Sequence, residues 1–229
     1  MIRAVLFDAV GTLLHVREPV GETYARVAAT HGIAIAPAAL SRAFPRVLRA
    51  MPSMVFPGRD GESLRLAERG WWHTLVRDVF ASAGGVSTGE PFERCFAALF
   101  EHFGGAAAWR CADGAAATLA ALRDRGLRTG LVSNFDHRLP RILAAVDLMP
   151  LLDDVVLPAD AGAAKPAARI FAVALQRLAV AAADAVYVGD DADHDIAGAR
   201  AAGLHAIDVA TLTNLRELVR RVCDPSSST

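Results

Sequence analysis

The sequence predicts an α/β fold in which a doubly wound, mostly parallel, Rossmann-like sheet is interrupted by an all-helical domain after its first strand. Three observations lead to this prediction. The apolar run Ala4–Phe7 is typical of a strand buried on both faces, and it ends at one carboxylate, Asp8. Residues 15–106 carry helical spacing of apolar side chains. From residue 107 onward, short apolar runs alternate with helical patterns, which indicates a parallel sheet.

Four helices are expected in the insert. The first and fourth patterns stop at glycines, Gly32 and Gly104, and the proline- and glycine-rich segment 51–61 separates the second helix from the third. Pro45 is expected to interrupt the second helix. The apolar positions are Val20, Tyr24, Val27 and Ala28; Leu40, Phe44, Val47, Leu48 and Met51; Trp71, Trp72, Leu75, Val79 and Phe80; and Phe92, Phe96, Leu99, Phe100 and Phe103. They predict a small helical core.

The second half of the chain supplies the remaining strands of the sheet. Pro166 suits the first position of the helix that follows Lys165. The expected strands are 128–134, 154–157, 185–190 and 204–208, and helices are expected at 195–202 and 212–222. The core domain should therefore comprise 1–14 and 107–222, and the cap domain 15–106. Residues 223–229 are expected to form a flexible tail.

Composition excludes several classes of protein. The 229 residues carry a formal net charge of -1 with both signs spread along the chain, so we expect no nucleic-acid partner and no membrane surface. No uncharged, strongly apolar run reaches about 18 residues, which argues against a membrane span. The three cysteines, Cys95, Cys111 and Cys223, are far apart, and the first strand begins without a secretory layout. A cytoplasmic location is expected; the oligomeric state is not predicted.

Polar residues follow the predicted strands at four places: Asp8, Ser133-Asn134, the single lysine Lys165, and the acidic run 190–195. The carboxyl ends of parallel strands meet at one edge of a sheet, where such proteins bind ligands. Each group also has a structural explanation, because Ser and Asn favour helix caps and acids favour helix N-termini. However, four aspartates in six residues exceed what capping needs, and they repel one another unless a cation is present.

Together these residues resemble the haloacid dehalogenase superfamily, whose fold is a doubly wound sheet with a helical cap inserted after strand one. Its four motifs match in order and span nearly the whole chain. They are Asp8-Ala-Val-Gly-Thr12, Ser133-Asn134, Lys165 and Gly189-Asp190-x-x-x-x-Asp195. A narrower resemblance is to the branch of haloacid dehalogenase-like hydrolase domain-containing protein 3 and the rhythmically expressed fly protein. The stretches that suggest it are 16–22, Trp71-Trp72 and 133–136.

The resemblance implies catalytic roles for three residues. Asp8 would be the nucleophile that takes up a phosphoryl group as an aspartyl-phosphate. Ser133 would hydrogen-bond the transferred group, and Lys165 would neutralise charge on Asp8 and on the phosphate. Contacts to a small phosphorylated substrate would come from Gly11, Thr12 and Asn134.

The resemblance also implies a Mg²⁺ site. Asp8, the carbonyl of Val10 and Asp190 would bind the ion, and an all-oxygen set is what a hard cation requires. Asp191 and Asp195 would not bind the ion themselves but would hold its ligands in position.

One position departs from the superfamily pattern. Phosphatases of this superfamily usually carry a second aspartate two residues after the nucleophile, which protonates the leaving group and later activates water. Here that residue is Val10, and losing a general acid-base group typically costs about 10²–10⁴ in rate. A phosphatase would therefore be slow, favour good leaving groups, or borrow an acid from the cap, the substrate, His15 or Asp136.

Two other hypotheses stay open. A metal-independent 2-haloacid dehalogenase also lacks the second aspartate, and halide leaves without a proton; Arg17 could then hold a carboxylate, but the acidic run 190–195 argues against this chemistry. The chain could also be a weak or inactive protein that binds a phosphate ligand or a partner. A phosphonatase is excluded because residues 15–106 contain no lysine for a Schiff base.

Overall fold

The computed structural model describes residues 1–223 and divides the chain into two compact units. Unit 1 consists of Met1–His15 and the chain from Arg110 onward, and unit 2 is Val16–Trp109. Cys223, the first residue of the expected flexible tail, ends a helix instead, and 224–229 lie outside the described residues. None of the helices described is long and apolar enough to cross a membrane.

The elements are numbered in chain order. The strands are β1 (Ala4–Phe7), β2 (Leu14–Val16), β3 (Trp109–Cys111), β4 (Arg128–Val132), β5 (Asp154–Val156), β6 (Ala185–Gly189) and β7 (His205–Asp208). The helices of unit 2 are α1 (Val20–Thr30), α2 (Pro37–Ala50), α3 (Gly61–Ser82) and α4 (Glu90–Gly104). Those of unit 1 are α5 (Ala115–Asp124), α6 (Leu139–Ala145), α7 (Pro158–Ala161), α8 (Ala168–Leu178), α9 (Gly198–Ala201) and α10 (Glu217–Cys223).

A five-stranded sheet forms the centre of unit 1. Its order is β5-β4-β1-β6-β7, and every neighbouring pair is parallel. All four residues of β1 are buried, as expected for a central strand covered on both faces. The parallel sheet and the helical insert after β1 confirm the predicted fold class. β2 and β3 form a separate two-stranded sheet that the sequence did not indicate.

One glycine sets how closely the core packs beside β1. Gly130 of β4 is in register with Leu6, and a Cβ atom there would lie 2.6 Å from Leu6 and 3.0 Å from Leu178. The missing side chain therefore makes room for two leucines. On the other side of β1, Leu6 is in register with Tyr187 of β6. Leu6, Leu178 and Tyr187 belong to one buried apolar cluster with Phe171 of α8.

Unit 2 has its own apolar core of helix-borne side chains. Tyr24, Leu75, Phe80 and Phe92 are among its buried members. The expected interruption of the second helix at Pro45 is wrong, because α2 continues through this exposed residue. On the exposed face of a helix, water can satisfy the carbonyl that the proline leaves without its intrahelical donor.

Three element boundaries also differ from the expectations. α3 starts at Gly61, well before the aromatic pattern, because Asp60 and Ser63 form a capping box. Pro166 does not begin a helix: α8 starts at Ala168, and the Lys165–Pro166 peptide bond is cis. The segment predicted as one helix at 195–202 is a π-helix from Ala192 to Ala197 that continues into α9.

We expect Leu6→Ala to lower the free energy of unfolding by about 2–5 kcal/mol, because it removes a fully buried side chain between two strands. Urea unfolding followed by circular dichroism measures the change. Leu66→Ala is the matched control, since Leu66 is 61% exposed and its truncation should cost less than about 0.5 kcal/mol. An equal loss of unfolding free energy in the two variants would contradict a stabilising role of Leu6 in the core.

Candidate active site

The candidate site lies at the carboxyl edge of the central sheet. Asp8, Ser133 and Asp190 directly follow β1, β4 and β6, and the parallel register brings the ends of these strands together. The backbone N–H of Asp8 donates to the Val188 carbonyl over 2.9 Å, so hydrogen bonding to β6 continues one residue past β1. The strand register thus brings these three polar residues to one edge of the sheet.

Lys165 is the centre of the site. It is 5% exposed and lies on the loop between α7 and α8. Its Nζ donates to Asp8 Oδ1 over 2.6 Å, to Asp195 Oδ1 over 2.5 Å and to the Tyr187 hydroxyl over 2.9 Å. All three ammonium protons are therefore used, which is how a buried charge is kept in a protein.

Tyr187 is a site residue that the sequence analysis missed. It is buried in β6, and its hydroxyl donates to the Val132 carbonyl over 2.8 Å while accepting from Lys165. The hydroxyl also lies 3.1 Å from Asp195 Oδ1. A signal for it existed in the sequence: a tyrosine inside an otherwise apolar strand needs a partner for its hydroxyl.

The buried charges shift one another's protonation equilibria. Burial by itself lowers the pKa of Lys165, but the carboxylates of Asp8 and Asp195 outweigh it, and the pKa is raised. Burial raises the pKa of Asp8, with a contribution from Asp195, while Lys165 acts in the opposite direction. Burial next to Asp8 and Asp195 raises the pKa of Tyr187 well above its usual value. Lys165 therefore stays an ammonium and Tyr187 a neutral phenol.

Asp195 anchors the loop after β6. Its Oδ2 accepts hydrogen bonds from the backbone N–H groups of Asp190 and Asp191, each over 3.1 Å. Gly189 makes this possible, because a Cβ atom at that position would overlap the Asp195 carboxylate. Both oxygens of Asp195 are thus occupied by Lys165 and the loop.

Asp191 caps the π-helix that follows the loop after β6. Its Oδ1 accepts from the backbone N–H of Asp193 over 2.9 Å and of His194 over 2.8 Å, which caps the π-helix. Although burial acts to raise the pKa of Asp191, these hydrogen bonds and the His194 ring lower it. This residue therefore stabilises the helix start.

Asn134, a residue whose backbone was expected near the substrate, pairs with Lys165 through its side chain. Asn134 Oδ1 accepts from the Lys165 backbone N–H over 2.8 Å, and Nδ2 donates to the Lys165 carbonyl over 3.0 Å. This amide pair fixes the backbone on which the ammonium depends. Ser133, by contrast, is buried at the end of β4 with its backbone N–H bonded to the Val156 carbonyl over 3.2 Å.

The turn after Asp8 uses the backbone amides that were expected to contact substrate. Gly11 N–H donates to the Leu14 carbonyl over 2.8 Å, and Thr12 N–H donates to the Ala9 carbonyl over 3.4 Å. Gly11 has a φ of 101°, and a Cβ atom there would overlap Asp190. The Thr12 hydroxyl is buried without a hydrogen-bond partner among the described residues. The absence of a side chain at Gly11 therefore makes room for Asp190.

The carboxylates at this edge fit a divalent cation. One oxygen each of Asp8, Asp190 and Asp195 lie within 4.8 Å of one another. Burial, Asp8 and Asp195 together raise the pKa of Asp190 to about 6, which is the repulsion that a cation would relieve. The backbone hydrogen bonds of this turn are accepted by the carbonyls of Ala9 and Leu14, so the Val10 carbonyl accepts none of those hydrogen bonds. Asp8, Val10 and Asp190 offer the oxygen donors that Mg²⁺ prefers.

The two residues suggested as substitutes for the missing acid do not suit that role. Asp136 is fully buried, and its carboxylate accepts hydrogen bonds from the backbone N–H, Nε and Nη2 of Arg138 over 2.8, 2.9 and 2.6 Å. Burial, followed by Arg110, lowers the pKa of His15, so this imidazole is neutral at pH 7. Arg17, the residue proposed to hold a haloacid carboxylate, is an exposed residue of unit 2.

Residues 2–203 match a protein family described as haloacid dehalogenase-like hydrolase. The chain is 37% identical over 219 residues to Haloacid dehalogenase-like hydrolase domain-containing protein 3 of Mus musculus, covering 96% of this chain and 86% of that protein. It is 26% identical over 215 residues to the Rhythmically expressed gene 2 protein of Drosophila melanogaster, covering 89% and 81% of the two chains.

Solved structures share the fold. A haloacid dehalogenase-type phosphatase from Thermococcus onnurineus has a TM-score of 0.65 at 23% identity, over 97% of this chain and 98% of that one. The hydrolase YfnB from Bacillus subtilis, bound to magnesium, has a TM-score of 0.66 at 18% identity, over 97% and 99%. A dehalogenase with an intermediate complex has a TM-score of 0.71 at 21% identity, over 97% and 98%. Phosphatases and dehalogenases thus occur among these neighbours alike.

We expect Tyr187→Phe to lower the free energy of unfolding by about 1–3 kcal/mol, because it leaves a buried N–H of Lys165 and the Val132 carbonyl without a partner. The ring and its edge-on contact with Phe171 stay in place. Urea unfolding in wild-type and Lys165→Met backgrounds forms a double-mutant cycle. The loss should be smaller when the ammonium is absent, and an equal loss in both backgrounds would contradict the assigned contact.

Asp190→Asn should raise the melting temperature of the metal-free protein at pH 7.5. The raised pKa of about 6 means that ionising Asp190 costs free energy in the folded state, and this cost is fully present above pH 6. The difference from wild type should shrink at pH 5, where Asp190 is protonated. Calorimetry in EDTA measures both values, with Asp193→Asn as the exposed control. Destabilisation by Asp190→Asn at pH 7.5 would contradict the repulsion.

Proposed function

We propose that this chain, which belongs to the haloacid dehalogenase-like hydrolase family, is a Mg²⁺-dependent phosphatase that acts on a small phosphorylated metabolite through an aspartyl-phosphate on Asp8. One observation carries the proposal: the Asp8 carboxylate accepts a hydrogen bond from Lys165, and one carboxylate oxygen each of Asp8 and Asp190 lie within 4.8 Å of one another. A nucleophile, a fixed cation and a place for a second cation are what phosphoryl transfer requires.

In the first step, a carboxylate oxygen of Asp8 attacks phosphorus. The bond between phosphorus and the leaving-group oxygen breaks, and the leaving group takes the electron pair. Lys165, bonded to Asp8 Oδ1, keeps the carboxylate in one orientation and neutralises charge as the phosphoryl group arrives. The hydroxyl of Ser133, at the end of β4, would donate to an oxygen of the transferred group.

In the second step, water attacks phosphorus of the aspartyl-phosphate and the Asp8 carboxylate is released. Both protons of the water stay with the product, which leaves as H₂PO₄⁻. The Lys165 ammonium stabilises the returning carboxylate, and Tyr187 and Asp195 keep that ammonium in position. No net proton is left on the protein, so the site returns to its starting state.

Asp8, the Val10 carbonyl and Asp190 would hold the Mg²⁺ ion. When bound, it would neutralise negative charge on the phosphoryl oxygens and bring the phosphate close to Asp8. Asp195 is committed to Lys165 and to two backbone N–H groups, so it supports the ligand loop instead of binding the ion.

A metal-independent 2-haloacid dehalogenase is the second candidate, and Val10 is the observation that favours it. Attack of Asp8 on the carbon that bears the halogen expels halide, which needs no proton. Lys165 would serve that chemistry equally well. The Asp190 carboxylate beside Asp8 has no use there, because it only adds repulsion. We therefore place the phosphatase first, and the metal requirement separates the two.

We expect wild-type protein to hydrolyse p-nitrophenyl phosphate with Mg²⁺ and to lose this activity in EDTA. Asp8→Asn should abolish turnover because the amide cannot form the phosphoenzyme. Asp124→Asn, an exposed aspartate at the end of α5, is the matched control and should keep full activity. Release of p-nitrophenolate is followed by absorbance.

Three outcomes would contradict the proposal. Activity that persists in Asp8→Asn would assign turnover to a contaminant or to another group. Chloride release from 2-chloropropionate in EDTA, without phosphate hydrolysis, would favour the dehalogenase. Phosphate binding without any turnover would indicate a protein that has kept the scaffold for recognition only.

A further inference from the structure

Proton donors are the missing component of this site. A phosphatase must release its leaving group either as a protonated alcohol or as an anion stable enough to leave alone. Val10 stands two residues after the nucleophile and has no transferable proton. Whether another group can supply the proton decides which phosphate compounds the site can cleave.

The groups around the nucleophile already use their protons in hydrogen bonds to one another. Lys165 uses its three N–H groups on Asp8, Asp195 and Tyr187. The Tyr187 hydroxyl donates to the Val132 carbonyl, and Asp195 accepts from Lys165 and from the loop after β6. These groups form a closed set in which every proton already has an acceptor.

The nearby acids are no better placed. Asp136 is buried in a hydrogen-bonded ion pair with Arg138, so its carboxylate oxygens already serve as acceptors. Asp191 accepts hydrogen bonds from the backbone N–H groups of Asp193 and His194 as a helix cap. Among the described residues of unit 1 that adjoin the motifs, therefore, the carboxylates of Asp136, Asp191 and Asp195 already accept hydrogen bonds from within the structure, and Asp190 would be taken up by the Mg²⁺ ion of the proposed function.

We propose, on the basis of the function proposed above, that the substrate of this site is an acyl phosphate, a phosphorylated carboxylic acid whose leaving group departs as a carboxylate without a proton. Asp8 attacks phosphorus, the bond from phosphorus to the acyl oxygen breaks, and the carboxylate leaves with the electron pair. Water then cleaves the aspartyl-phosphate, and both of its protons leave on H₂PO₄⁻. The overall reaction is acyl phosphate plus water to carboxylate plus H₂PO₄⁻, and it needs no acid from the protein.

The chemistry of the first step supports this choice. The incoming nucleophile and the leaving group are both carboxylates, so the phosphoryl group passes between two nearly equivalent partners. The free-energy change of this transfer is therefore close to zero, and the Lys165 ammonium that contacts Asp8 would stabilise the charge that moves between the two carboxylates. With an alkyl phosphate, the same step would have to expel an alkoxide, which is a far stronger base than Asp8.

The test compares kcat/KM for acetyl phosphate and for glycerol 3-phosphate with Mg²⁺, by phosphate release. Wild-type protein should prefer acetyl phosphate by at least about 10²–10⁴-fold, the contribution of a general acid. Val10→Asp supplies an acid two residues after the nucleophile and should reduce this ratio by about the same factor, about 10²–10⁴. Val10→Asn, nearly isosteric with the aspartate but without an acidic proton, should keep the wild-type ratio. Non-enzymatic hydrolysis is subtracted by using Asp8→Asn.

Each outcome decides the proposal. A high wild-type ratio that falls in Val10→Asp but not in Val10→Asn supports it. Comparable kcat/KM values for the two substrates in wild-type protein would overturn it, because a proton would then be reaching the leaving group, while the phosphatase assignment would stand. Absence of Asp8-dependent hydrolysis for both substrates and for p-nitrophenyl phosphate would overturn the phosphatase assignment itself, and the substrate class with it.

Discussion

A single buried ammonium group holds the carboxyl edge of the sheet together. Lys165 is the only lysine of the chain, and burying its charge without partners would cost several kcal/mol. Asp8, Asp195 and Tyr187 supply those partners from three separate segments, while Asn134 fixes the Lys165 backbone. The position of the nucleophile, the loop after β6 and the end of β4 all depend on this one side chain.

The aspartates of the fourth motif divide their roles according to what already contacts them. Asp195 is satisfied on both oxygens, and Asp191 caps a helix. Asp190 is left beside two other carboxylates, and burial with this repulsion raises its pKa to about 6. Gly11 and Gly189 allow the acids to approach, because a Cβ atom at either position would overlap a carboxylate. In the metal-free site the Asp190 carboxylate is therefore repelled by its neighbours, and a bound cation would relieve this repulsion.

The fold and the membership of the family were predictable from the sequence, whereas the network within the site was not. The apolar runs and the four motifs predicted the parallel sheet and the resemblance, and both are confirmed. These features depend on local pattern. The contacts of Tyr187 and the pairing of Asn134 with Lys165 depend on which atoms meet across strands, and spacing along the chain carries no such information. The helix start at Gly61 was missed because its capping signal lies in a segment with loop composition.

The order of the strands has a consequence for how the protein is made. β1 leaves the ribosome first, but both of its partners, β4 at Arg128–Val132 and β6 at Ala185–Gly189, are synthesised far downstream. Unit 2, which has its own apolar core, is complete before either partner exists. Domains generally fold as units in the order of synthesis, and strand pairings distant in sequence form slowly. The segment that bears the nucleophile therefore stays unpaired and apolar until β4 has been translated, and it gains its second partner only after β6 follows. During this interval the nascent protein most needs protection from aggregation.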